Sequence, residues 1–295
     1  MASRVSPLFL LGLLFACSRL FFAAASPVRP LSDWGTDESA EVTNSSSSHS
    51  LWRREVAVPR YQRCKQKKRF AMTFDDGPLF GGPTATLLEQ YGGKGTYFVN
   101  GYNSVCIYDQ SVVDDLIRRY KAGHVIGSHS WNHDDITKLS PEELHYQLDL
   151  LETALWKILG IKPRFFRPPF GEYDNKSLKV LQERGYSVAL WDFDSEDANG
   201  ATPEESIESY KDMLRTFPTP HIALNHEIEA GTVWNVVPTV VPLIHDAGYK
   251  LVDLGQCLGM EPYQAVGKRG RRDSVTSSWI DARKVRIEID ETPIH

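Results

Sequence analysis

The chain has 295 residues, of which 41% are hydrophobic and 24% charged, and its formal net charge is -5. That length suffices for one large catalytic domain with a full core. The negative balance argues against a nucleic acid or an anionic membrane surface as the main partner and leaves neutral or cationic partners open.

Residues 1–25 read as a secretory signal. Arg4 supplies a short positive region, Pro7 to Phe22 is nearly all apolar, and Ala23-Ala24-Ala25 offers a small-residue cleavage site. The competing reading is an uncleaved membrane anchor, but the apolar run lies near the short limit of roughly 17 residues for spanning a bilayer. No later stretch is apolar enough to cross, so export without a membrane span is expected. Residues 26–60 are poor in apolar side chains and read as a disordered or pro-like segment. They carry a glycosylation sequon, Asn44-Ser45-Ser46, and a dibasic pair, Arg53-Arg54. Cys17 leaves with the signal, so the exported chain keeps Cys64, Cys106 and Cys257. Export favours disulfides, and an odd count leaves one thiol over. Counting does not settle the connectivity; Cys64–Cys257 is preferred because it pins the start of the domain to its end.

From Phe70 onward, short apolar runs alternate with helical patterns. Strands are expected at Phe70 to Phe74, Thr96 to Val99, Val125 to Ser128, Arg164 to Phe166, Ser187 to Trp191, His221 to Asn225 and Lys250 to Leu254. Between them, Ser140-Pro141-Glu142-Glu143 is a capping box with proline at the first helical position, followed by Leu144, Leu148, Leu151 and Leu155 at helical spacing. Thr202-Pro203-Glu204-Glu205 repeats that start signal. Strands alternating with helices imply parallel pairing, and about seven such units make the chain an α/β protein with a (β/α) barrel rather than an open sheet. The catalytic domain is expected over residues 61–260, with 261–295 a surface tail without catalytic content.

The ionisable residues Asp75, Asp76, His129, Arg167, Asp197 and His226 all fall at or just after the C-terminal ends of expected strands. That rim is where (β/α) barrels build active sites. Two histidines and one carboxylate with an open position are a common ligand set for a catalytic divalent ion, and a spare carboxylate can serve as a base. Each motif also has a plain reading: Asp75-Asp76 as solvated turn aspartates before Gly77-Pro78, His129 and His133 as a turn pair, Arg167-Pro168-Pro169-Phe170-Gly171 as a rigid turn. Of Asp192, Asp194, Glu196 and Asp197, only one is expected to work, since most of a charge run is solvated. A lone histidine such as His226 is more often structural than catalytic.

Taken in order, Thr73-Phe74-Asp75-Asp76-Gly77-Pro78, His129…His133, Arg167-Pro168-Pro169-Phe170, Asp194…Asp197 and Leu224-Asn225-His226 resemble the five motifs of the polysaccharide deacetylases, carbohydrate esterase family 4. The match covers roughly residues 63–258, and its overall form resembles secreted fungal chitin deacetylases. The resemblance implies a distorted (β/α) barrel and removal of N-acetyl, or sometimes O-acetyl, groups from glycans, chitin or chito-oligosaccharides first. Another acetylated glycan (xylan or a galactosamine polymer) and a weakly active chitin-binding protein are the alternatives. It further implies one divalent ion, zinc or alternatively cobalt, on Asp76, His129 and His133. Asp75 would be the base, oriented by Arg167, and His226 the proton donor, oriented by Asp197. The main-chain N–H of Phe170 would stabilise the oxyanion and Leu224 would line the acetyl pocket. A monomer acting on a glycan, without nucleic acid, is the expected state. One position departs from the family pattern: an aromatic usually follows Asp197, and here it is Ala198, so Trp191 or Trp234 is expected to fill the gap.

Overall fold

The computed structural model describes residues 58–270. The signal, the Asn44 sequon and the Arg53-Arg54 pair lie outside the described residues.

Eleven strands are present among the described residues: β1 (Arg60–Tyr61), β2 (Arg69–Gly77), β3 (Thr96–Val99), β4 (Val125–Ser128), β5 (Ile161–Pro163), β6 (Phe165–Phe166), β7 (Ser187–Ala189), β8 (Phe193–Asp194), β9 (His221–His226), β10 (Lys250–Leu251) and β11 (Tyr263–Val266). The helices are α1 (Gly81–Gln90), α2 (Gln110–Lys121), α3 (Pro141–Leu159), α4 (Asn175–Glu183), α5 (Pro203–Leu214), α6 (Val237–Asp246) and α7 (Leu254–Leu258). Nine strands form one curled sheet in the order β1-β7-β6-β4-β3-β2-β9-β8, with β10 also on β2. Every pair within it is parallel. The order ends at β1 on one side and β8 on the other, so the barrel is incomplete, as a distorted (β/α) barrel requires.

The sequence explains why these strands are central. Phe70, Ala71, Met72, Thr73 and Phe74 are all fully buried, because helices cover the outside of a parallel sheet while its inside is packed. Both capping boxes form. Ser140 accepts from the N–H of Glu143 and the Glu143 carboxylate accepts from the N–H of Ser140, while Thr202 and Glu205 do the same at α5. Leu144, Leu148, Leu151 and Leu155 of α3 are buried, and Gly160 ends that helix in the left-handed region at φ 74°.

Two expected strands stop early for identifiable reasons. β7 ends at Ala189 because the carbonyls of Ala189 and Leu190 accept bonds from the Arg167 guanidinium. β10 ends at Leu251 because Asp253 caps α7. The two-residue strands β1 and β8 are too short to show any alternation. Part of the segment expected as a tail belongs to the fold: within residues 261–270, β11 pairs antiparallel with β5, and Tyr263 packs against the main core. Cys64 and Cys257 form the preferred disulfide across a separation of 193 positions.

Register places the site. Asp75 of β2 is opposite His226 of β9, and Ser128 of β4 is opposite Phe166 of β6. His129 and Arg167 are each the next residue, so four functional side chains emerge at one level of the rim.

Candidate active site

Asp75 and Asp76 diverge because Asp76 leaves the extended conformation, with φ 67°. Aspartate tolerates that region better than most residues, but it is still uncommon. Ser130, His133, Phe170 and Glu196 are also positive in φ, so five of the six such non-glycine residues among the described residues lie at the end of β2 or follow β4, β6 or β8 at the rim; Lys68 is the sixth. Backbone held in sparse regions tends to collect where side chains must be aimed.

Asp76, His129 and His133 each offer one donor atom, and the three atoms lie within 4.8 Å of one another. His129 Nδ1 donates to the carbonyl of Arg167 at 2.7 Å, which leaves Nε2 with its lone pair facing Asp76 Oδ1 at 3.4 Å. His133 Nε2 is 3.1 Å from the same oxygen. That oxygen is buried and has no hydrogen-bond partner. A carboxylate oxygen facing imidazole lone pairs is repulsive unless a cation sits among them, so this set fits a divalent ion with two nitrogen donors and one oxygen donor. Without an ion, burial works against the charged form of Asp76, but N–H donation from the two imidazoles holds its carboxyl well below the usual range; an ion among the three would take over that role. Asn100 fixes the loop below by donating to the carbonyls of His129 and Ser130.

Asp75 is buried beside this trio and receives a bond from Arg167 Nη1 at 2.9 Å. Arg167 is fully buried and fully used. It also bonds Thr73 Oγ1 at 2.6 Å and the carbonyls of Ala189 and Leu190 at 3.0 Å each. Its guanidinium lies 4.4 Å from the Phe98 ring centre and 5.5 Å from that of Trp191. Burial lowers its pKa and Asp75 supports its charge; an arginine so placed stays protonated. Asp75 Oδ2 is left facing His129 Nε2 at 3.6 Å.

On the other flank, His226 Nδ1 bonds Asp197 Oδ1 at 2.7 Å and the His226 N–H donates to Asp197 Oδ2 at 2.8 Å. Thr232 Oγ1 donates to Oδ2 at 2.7 Å and the Ala198 N–H to Oδ1 at 3.0 Å. Burial disfavours the charged imidazole, but the bond to and charge of Asp197, with Asp76 and Asp75 beyond, raise His226 to about 10. A dication on Asp76 would remove part of that increase. Burial likewise opposes the charge of Asp197, yet His226 and Thr232 hold its pKa down.

Of the four acids after β7, Asp197 alone reaches His226. Asp192 is tied to His221, the N–H of Ile222 and Arg63. Asp194 accepts from the N–H of Glu196 and is raised to about 6, mainly by burial. Phe170 is 54% exposed and meets the His133 ring edge-on at 4.6 Å. Leu224 is buried in β9, in register with Thr73. Trp191, expected as one filler for the Ala198 gap, lies over Arg167 and beside Gly171. Sequence reasoning missed Asn100, Thr232 and the buried pair Arg119–Glu227, and it gave no role to Thr73, which opens the first motif and bonds Arg167. Of the missed residues, Glu227 directly follows a motif, at His226.

The polysaccharide deacetylase model matches residues 62–189. A chitin deacetylase of Colletotrichum lindemuthianum is 30% identical over 237 residues, covering 78% of this chain and 95% of that protein. A chitin deacetylase of Arthroderma benhamiae is 33% identical, covering 67% of this chain but only 53% of that protein. A peptidoglycan-N-acetylglucosamine deacetylase of Listeria monocytogenes is 30% identical over 69% of this chain and 42% of its own length. The solved structure of the Colletotrichum chitin deacetylase superposes with a TM-score of 0.65 at 28% identity, covering 73% of this chain and 97% of that one.

Proposed function

This chain belongs to the polysaccharide deacetylase family, and on that premise we propose that it is a secreted, metal-dependent hydrolase that removes N-acetyl groups from chitin or chito-oligosaccharides and releases acetate. The observation that carries the reading is the rim register: a buried carboxylate held by Arg167 stands opposite an imidazole held by Asp197, with a three-donor cluster beside them.

A zinc or cobalt ion on Asp76, His129 and His133 would supply Lewis acidity and make water a better nucleophile at neutral pH. The chain supplies the rest. Asp75 takes a proton from the attacking water as its oxygen adds to the acetamide carbonyl carbon. Arg167 keeps Asp75 ionised and aimed. The Phe170 N–H donates to the oxygen on which negative charge develops, where stabilisation counts most. His226, charged at neutral pH, gives its proton to the departing nitrogen, the C–N bond breaks, and an amine and acetate leave. Leu224 lines the space for the acetyl methyl.

The fungal relatives named for chitin favour that substrate, and the Cys64–Cys257 disulfide favours an exported protein. No helix among the described residues is long and apolar enough to cross a membrane. The exposed Ala198 favours a second reading in which the glycan is another acetylated polymer, such as xylan or a galactosamine polymer. Acetate release from a panel of N- and O-acetylated glycans, with chelator and with zinc restored, decides between them. Release from chito-oligosaccharides that stops with chelator and returns with zinc is expected. Release from none, or release indifferent to chelator, refutes the enzyme reading.

A further inference from the structure

Trp234 is the most exposed aromatic side chain among the described residues, 56% accessible. It sits in a π-helical turn, Thr232–Val236, between β9 and α6. The wider turn buries Thr232, Val233 and Val236 and turns Trp234 and Asn235 outward. Such turns inside helical segments often mark functional sites. This one is anchored to the candidate active site, since Thr232 Oγ1 bonds the Asp197 carboxylate that holds His226. Phe80, half-buried in the loop between β2 and α1, lies 6.5 Å from Trp234, ring centre to ring centre. β2 and β9 are neighbours, so the two rings rise beside each other on the His226 flank of the rim, while Phe170 stands against His133 on the other.

We propose that Trp234, backed by Phe80, is a stacking platform for a pyranose ring adjoining the reacting sugar; this rests on the reading above. The proton from His226 goes to the nitrogen attached to the sugar, so the sugar and the units linked to it lie on the His226 side of the scissile amide. An exposed indole in the turn that follows β9, next to Phe80 after β2, offers a flat apolar surface to the C–H face of a sugar, with the ring N–H turned to a hydroxyl. An exposed tryptophan held by a buried turn has little else to contact. The platform also gives the site an aromatic wall on the side where Ala198 supplies none.

Titration calorimetry of the full chain tests this with chitotetraose and acetylated xylotetraose as probes, on wild type, Trp234→Ala and Trp234→Phe. The variants change an exposed side chain and leave the proton-transfer groups intact. Trp234→Ala should weaken chitotetraose binding about two- to tenfold, with Trp234→Phe recovering most of it. Equal binding by wild type and Trp234→Ala overturns the platform alone. Wild-type binding of the xylan probe only, lost in Trp234→Ala, supports the platform and refutes the chitin reading. Wild-type binding of neither probe overturns both.

Discussion

Glu227→Gln probes a part of the rim that no motif announces. Glu227 follows His226, is fully buried, and donates its N–H to the carbonyl of Asp75 at 3.1 Å. Its Oε2 pairs with Arg119 Nη1 at 2.8 Å and its Oε1 accepts from the N–H of Leu79 at 3.0 Å. The pair has been given its space by glycine: a Cβ on Gly77 would lie 1.7 Å from Glu227 Oε1, and one on Gly81 would lie 2.1 Å from both Oε2 and Arg119 Nη1. Burial pushes the Glu227 carboxyl up and Arg119 pulls it down, whereas Arg119 stays charged, supported by both Glu227 and Asp115. Glutamine fills the same volume, but it is neutral and has one carbonyl for two donors, so its amide must face one of them. Breaking a buried ion pair from one side costs about 3–5 kcal/mol. Asp115 remains 2.8 Å from Arg119, so the lower end, about 3 kcal/mol, is expected. Urea unfolding checks it as a lower midpoint at unchanged slope. A loss below about 1 kcal/mol, the range of a surface pair, refutes the reasoning. The double variant Arg119→Met/Glu227→Leu should recover much of the loss, because an apolar pair leaves no charge stranded.

Four further outcomes are expected. His226 is a proton donor only below its raised pKa, about 10 before a dication on Asp76 takes away part of the increase, so kcat/KM should fall as pH rises through its basic limb. Asp197→Asn should move that limb down by about 1–3 pH units, and a limb that stays in place contradicts the assignment. The same charge stabilises the fold fully below the ordinary histidine pKa of 6.5, and this contribution is lost as pH rises towards about 10, visible as a pH-dependent unfolding midpoint that Asp197→Asn flattens. Arg167→Lys cannot reproduce a planar fork that bonds Asp75, Thr73 and two carbonyls, so kcat should drop on the order of 100-fold with metal content retained. Replacing Cys64 and Cys257 together with serine opens a loop of 193 positions and should lower stability by about 4–5 kcal/mol by denaturant titration.

What the chain disclosed and what it hid follow from the range of the forces involved. β3 and β4 fall at the expected residues because each is a short apolar run closed by a polar exit, and both capping boxes form because they are local. β1 and β8 pair through two residues each, and nothing in two residues distinguishes a strand from a loop. β11 needs β5 as a partner about a hundred positions earlier, so the segment past Met260 read as a tail. At the rim, the residues expected from motifs come together because each ends a strand of one sheet. Thr232 and the pair of Arg119 with Glu227 went unseen, and Thr73 was seen only as a motif position, since their roles come from contacts across the fold rather than from spacing.

The account divides the two adjacent aspartates between a base and a metal ligand. Acetate release by Asp75→Asn, measured on protein whose metal content has been determined in the same sample, tests that division most directly. One equivalent of metal retained with turnover lost is the expected result. Turnover near that of wild type, or loss of the metal together with turnover, contradicts it.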